Sequence, residues 1–77
     1  MQASIIRERQ VIFEEVRVSL AGEASMNTWV GFAYLPPNAE LAEGEYELRL
    51  EDGRSGAVLM VSVRGGIARF RGLGPLT

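Results

Sequence analysis

Neither cysteine nor histidine occurs anywhere in the 77 residues. Without Cys there are no disulfide staples and no thiolate metal sites. Without His the commonest Zn, Cu and non-haem Fe ligand sets cannot be assembled from one chain. General acid–base work would fall to carboxylates or Tyr, and nucleophilic attack to Ser or Thr lacking an imidazole partner. Lysine is absent too, so all eight basic residues are Arg. Arg suits bidentate anion recognition, although a GC-rich coding sequence produces the same bias. Apolar runs fall far short of the roughly 18 residues of a membrane helix. Arg7, Glu8, Arg9, Glu14 and Glu15 interrupt any secretory leader. The expected compartment is therefore the cytoplasm, with no membrane partner.

Acids are missing from one part of the chain only. Residues 1–53 hold all ten carboxylates against Arg7, Arg9, Arg17 and Arg49, a balance of −6; residues 54–77 hold Arg54, Arg64, Arg69 and Arg71 and no acid, a balance of +4. The overall composition, 47% hydrophobic and 23% charged with a net charge of −2, is that of a globular protein. The length admits one domain, residues 1–77, with no room for a second core. A domain this short buries only about 60% of the surface its extended chain exposes. Such domains lean on disulfides, metals or association, and here association is what remains.

Turn chemistry organises the C-terminal half. Asp52-Gly53 and Gly65-Gly66 are residue pairs that tolerate φ > 0, each flanked by alternating sequence. Two-residue loops at both places set Tyr46 opposite Leu59, Leu48 opposite Ala57, Val61 opposite Phe70 and Leu59 opposite Gly72. Leu59 then faces inward by both solutions, which predicts a three-stranded antiparallel meander over residues 45–51, 54–64 and 67–72. Upstream, residues 28–35 (TWVGFAYL) read as a strand that Pro36-Pro37 terminates. Trp29, Gly31, Ala33 and Leu35 share one face of it, and Val30, Phe32 and Tyr34 the other. Residues 11–20 read as a long bent strand, because a β-bulge near Glu14-Glu15 reconciles the parity of Val11 and Phe13 with that of Val16, Val18 and Leu20. Residues 1–10 are an arm without a defined element, and 21–27 a loop.

The expected fold class is therefore all-β: a small five-stranded antiparallel barrel or roll ending in a meander. Closure removes exposed sheet edges. An SH3-like order fits best. An OB-like barrel is the alternative, although residues 36–44 are short for the helix it would want.

The outer face predicted by these registers carries Arg64, Arg69 and Arg71 at one rim and acids at the other, with Val58 and Met60 between. Residues 57–61 and 28–35 are apolar on both faces, whereas a strand with one wet side alternates. Either the N-terminal arm or a second subunit must cover them. Phe32, Tyr34, Val58 and Met60 are the interface candidates, with the −6/+4 polarity supplying complementary patches between subunits.

No motif carries catalysis. Glu14 and Glu15 are adjacent in a strand and point apart. Glu40 and Glu43 read as solubilising loop charge, and the glycine pairs lack the GxxxxGK[ST] context of a phosphate loop. The expectation is a non-enzymatic protein–protein interaction and assembly module, self-associating as a homo-oligomer, with no cofactor and no metal. The alternative is a small barrel that binds single-stranded nucleic acid through Arg64, Arg69 and Arg71 with Trp29, Phe32 and Tyr34 as stacking rings, against which the sequence pI near 5.0 weighs. The strings GEYELRLEDGRSG and RFRGLGPL resemble those of small bacterial proteins, and that resemblance implies no function.

Overall fold

The computed structural model describes residues 1–22 and 29–77. The expected loop over 21–27 and the first residue of the TWVGFAYL strand fall largely outside them. Six strands form in chain order: β1 (Gln2–Arg7), β2 (Gln10–Ala21), β3 (Val30–Tyr34), β4 (Gly44–Leu50), β5 (Ser55–Arg64) and β6 (Ile67–Gly72). They close into an antiparallel barrel in the order β1-β2-β3-β6-β5-β4. Two three-stranded meanders, β1-β2-β3 and β4-β5-β6, thus join edge to edge through β3–β6 and β1–β4. No helix occurs among the described residues, and none of them forms a helix long and apolar enough to cross a membrane. Residues 36–43 carry a turn closed by the Ala39 amide on the Pro36 carbonyl.

Six strands replace the expected five because the N-terminal arm is itself a strand. Ala3 and Ile5 enter the core, and β1 is hydrogen-bonded to β2 on one side and β4 on the other. Consecutive burial at Ile5 and Ile6 hides the alternation that would announce a strand. β1 turns into β2 through Glu8 and Arg9, both at positive φ (53° and 64°), the geometry of a two-residue hairpin loop. The bulge expected near Glu14-Glu15 is present: Glu15 takes φ 55°, and the β1–β2 register shifts between Ala3 and Ile5.

The β4–β5 turn differs from its expected form by one residue, and the consequence is large. The loop contains Glu51, Asp52 and Gly53. Gly53 donates its amide to the Leu50 carbonyl at 3.0 Å and sits at φ +94°, while Leu50 donates to Arg54 at 2.8 Å. This is the three-residue loop with glycine in the left-handed position. Tyr46 therefore pairs with Val58 rather than Leu59. Because side chains alternate, a slip of one residue turns the whole strand over. Val58 and Met60 are 0% and 1% exposed inside the barrel, and Val61 is outside. The Gly65-Gly66 hairpin keeps its expected register at Arg64–Ile67 and Val63–Ala68, until an irregularity between Met60 and Ser62 brings Met60, not Val61, opposite Phe70.

The core packs Ile5, Val18, Trp29, Leu48, Val58, Met60 and Phe70, with Trp29 and Phe70 edge to face at 6.1 Å. Gly72 lies directly under the indole, where an added Cβ would overlap the ring. Trp29 Nε1 donates to the Gly74 carbonyl at 2.7 Å, which fastens the C-terminal tail across the barrel end.

Candidate interaction surfaces

Among the described residues no charged side chain is buried. Glu14, Glu15, Glu40 and Glu43 are exposed, and no three potential metal-binding side chains come together among the described residues. Tyr46 is buried, but its hydroxyl is spoken for: it donates to the Ala42 carbonyl at 2.8 Å and accepts from Arg7 Nη1 at 3.1 Å. The Arg7 guanidinium lies 4.5 Å from the centre of the same ring. The Arg54 backbone amide bonds to Asp52 and holds its carboxyl below the ordinary aspartate value, a turn cap on an exposed side chain. The depression between Arg7, Glu8, Arg9, Glu45 and Glu47 mixes both signs of charge. The informative features lie on the outside of the barrel.

Of the four interface candidates, Val58 and Met60 point into the core and have no surface to offer. Phe32 and Tyr34 do face outward, Phe32 being 42% exposed. Trp29, considered as a stacking ring, is 1% exposed and belongs to the core.

Following the registers across four strands places the outward side chains in three rows. The first runs Arg17, Tyr34, Ile67, Arg64; the second Ser19, Phe32, Arg69, Ser62; the third Ala21, Val30, Arg71, Leu59. None of these positions is a carboxylate. Among the described residues, ion pairs form only at Arg49–Glu47 and Arg54–Asp52, so the four arginines of this wall have none. Arg17 lies 4.8 Å over the Tyr34 ring. The wall unites Arg64, Arg69 and Arg71 with Phe32 and Tyr34 and adds Arg17. The sequence hides that addition, because the β2–β3 pair comes alongside β6 only through the β3–β6 closure. The neighbouring outer face of β4 carries Glu45, Glu47 and Arg49, with Glu47 and Arg49 paired at 3.1 Å, so carboxylates lie on that wall and not on this one.

A second feature is a sheet edge. β3 pairs with β2 only from Arg17 to Ala21, whereas β1 pairs with β2 from Gln10 to Arg17. Continuing the β2–β3 register would set Pro36 and Pro37 opposite Glu15 and Glu14, where proline has no amide to give. The side of residues 10–16 away from β1 consequently has no strand partner among the described residues. This stretch carries Val11 at 48% exposure, Ile12 at 41% and the half-buried Phe13. β5 also outruns its neighbour β6, at residues 55–57, but there the tail fills the gap. Ser55 and Thr77 exchange both backbone hydrogen bonds at 2.9 Å, and Leu73 donates to the Ala57 carbonyl.

Comparison with protein-family models, with curated proteins and with solved structures finds no match for this chain.

Proposed function

We propose that this chain is a non-catalytic assembly module that self-associates through the uncovered edge of β2. The observation that carries the reading is the pairing of an unpartnered strand edge with exposed Val11 and Ile12 on that same stretch. Unpaired strand edges template pairing with another chain, and natural proteins usually blunt them with lysine, proline or a covering segment. Residues 10–13 carry no lysine, no proline and no covering strand; a register irregularity opposite Ile5 and Ile6 falls at Ile12 and leaves Val11 and Ile12 both outward. An antiparallel two-fold pairing centred on Ile12 sets Val11 against Phe13 of the second copy and Gln10 against Glu14. Such an arrangement is self-complementary and closes as a dimer without propagating. It also gives a small domain with a thin core additional buried surface. The cytoplasm is the compartment this reading assumes.

Light scattering on the chromatographed protein tests it. The expected mass is twice that of the chain at high micromolar concentration, falling to that of one chain in Ile12→Lys with the circular dichroism unchanged. A single-chain mass for the unmodified protein, or an unaltered dimer in the variant, sinks the proposal.

A further inference from the structure

The wall built by β3, β6 and the adjoining parts of β2 and β5 is separate from the β2 edge, and the self-association reading leaves it unused. We infer that it is a binding surface for single-stranded nucleic acid. The charge pattern names the sign of the occupant. Arg17, Arg64, Arg69 and Arg71 face outward with no carboxylate among their row neighbours, and among the described residues none of them forms an ion pair. Four guanidinium groups without an ion pair among the described residues, gathered on one face of a net-acidic protein, attract a polyanion locally.

The rings name its chemistry. Phe32 stands in the middle row between Ser19 and Arg69, and Tyr34 in the next row beneath Arg17 and beside Ile67. Phe32 offers a base an exposed ring with Arg69 beside it for the phosphate, and at Tyr34 the Arg17 guanidinium over the ring offers its own plane for stacking. Phe32 and Tyr34 are two residues apart on one strand, about 6.7 Å, within the reach of one extended nucleotide step. Val30 and Ile67 extend the same apolar strip, both exposed. A folded duplex presents its bases edge-on and cannot lay them on these rings. An acidic protein tail would satisfy the arginines but leave the rings without a flat partner.

Fluorescence anisotropy with labelled oligo(dT) and oligo(U) tests the inference, with heparin and polyglutamate as polyanions that lack bases. Both oligonucleotides are expected to bind at about 50 mM salt. With three to four phosphate contacts, affinity should fall roughly 20- to 50-fold by about 200 mM. Phe32→Ala should cost about tenfold on the oligonucleotides and leave heparin binding unchanged. Arg69→Ala should weaken both ligands. Phe32 lies on the surface, so its variant is expected to keep the parent melting curve, and a competition assay with the unlabelled oligonucleotide checks each value. No binding at the lower salt overturns the inference. So does polyglutamate or heparin binding as tightly as the oligonucleotides with no response to Phe32, which would assign the wall to acidic protein partners or to plain polyanion attraction. Monomerising the protein with Ile12→Lys should not alter oligonucleotide affinity, so the two surfaces stand or fall separately.

Discussion

The two meanders of the barrel solve the same problem in different ways. In each, the middle strand begins before its third strand can reach it: β2 leads β3 by residues 10–16, and β5 leads β6 by residues 55–57. In the second half the chain runs on past β6, so that residues 73–77 complete the ladder beside β5 and Leu76 drops into the core. In the first half Pro36-Pro37 turns the chain away, and the longer overhang is left without a strand partner among the described residues. Strand edges in small barrels are covered, charged or kept short. The fold closes one overhang with its own tail, and the proposed self-association rests on the other, which bears Val11 and Ile12.

The largest blow to this arrangement comes at the point where β5 passes from the tail to β6. Val58→Glu places a carboxylate among Trp29, Leu48 and Phe70 with no partner, at a cost of about 4 kcal/mol or more. The expected result is loss of the cooperative melt, not a folded monomer, since this residue is interior. Removing residues 73–77 makes the second half resemble the first. The loss of Leu76 burial, three backbone hydrogen bonds and the Gly74 acceptor of the Trp29 indole should lower stability by about 4 kcal/mol. The surviving folded fraction should show a higher mass in light scattering, because a second edge is open. Ile12→Lys works in the opposite direction, closing the open edge electrostatically; its melting free energy at low concentration should stay within about 0.5 kcal/mol of the parent. The smallest change concerns the hairpin tips. The β1–β2 tip holds Glu8 and Arg9 at positive φ, whereas the β4–β5 tip spends a glycine there. Arg9→Gly should therefore stabilise the fold by about 0.5 kcal/mol in chemical denaturation, strain relief exceeding the added chain entropy.

Much of the barrel was legible from local chemistry. The bulge at Glu14-Glu15 followed from a parity switch among Val and Phe. The inward set of β3 followed from simple alternation, and its end from Pro36-Pro37. The facing of β5 did not, because loop length at Glu51–Asp52–Gly53 is decided by which residue takes positive φ, and an Asp-Gly pair suits a two-residue or a three-residue loop equally. The second hairpin appeared to corroborate the wrong choice at Leu59. It did so only because the irregularity at Val61 offsets the other register by the same single residue. Two errors of one residue agreed with each other. The β1 strand was invisible because Ile5 and Ile6 are buried in succession, and its turn into β2 is made by Glu8 and Arg9, which lack the glycine or asparagine of a usual hairpin tip. The arginine wall was half visible: the β5–β6 hairpin displays Arg64 and Arg69 by local register, but Arg17 and the rings join them only on closure.

The hydrogen bond from the indole to Gly74 has a practical corollary. Trp29 is the only tryptophan in the chain, so its emission colour is a built-in gauge of whether the C-terminal strap is seated. Seated, the ring is dry and should glow at the blue end of its range. A red shift arriving earlier in a denaturant titration than the loss of sheet signal would time the release of the strap as an event of its own, without any label being attached.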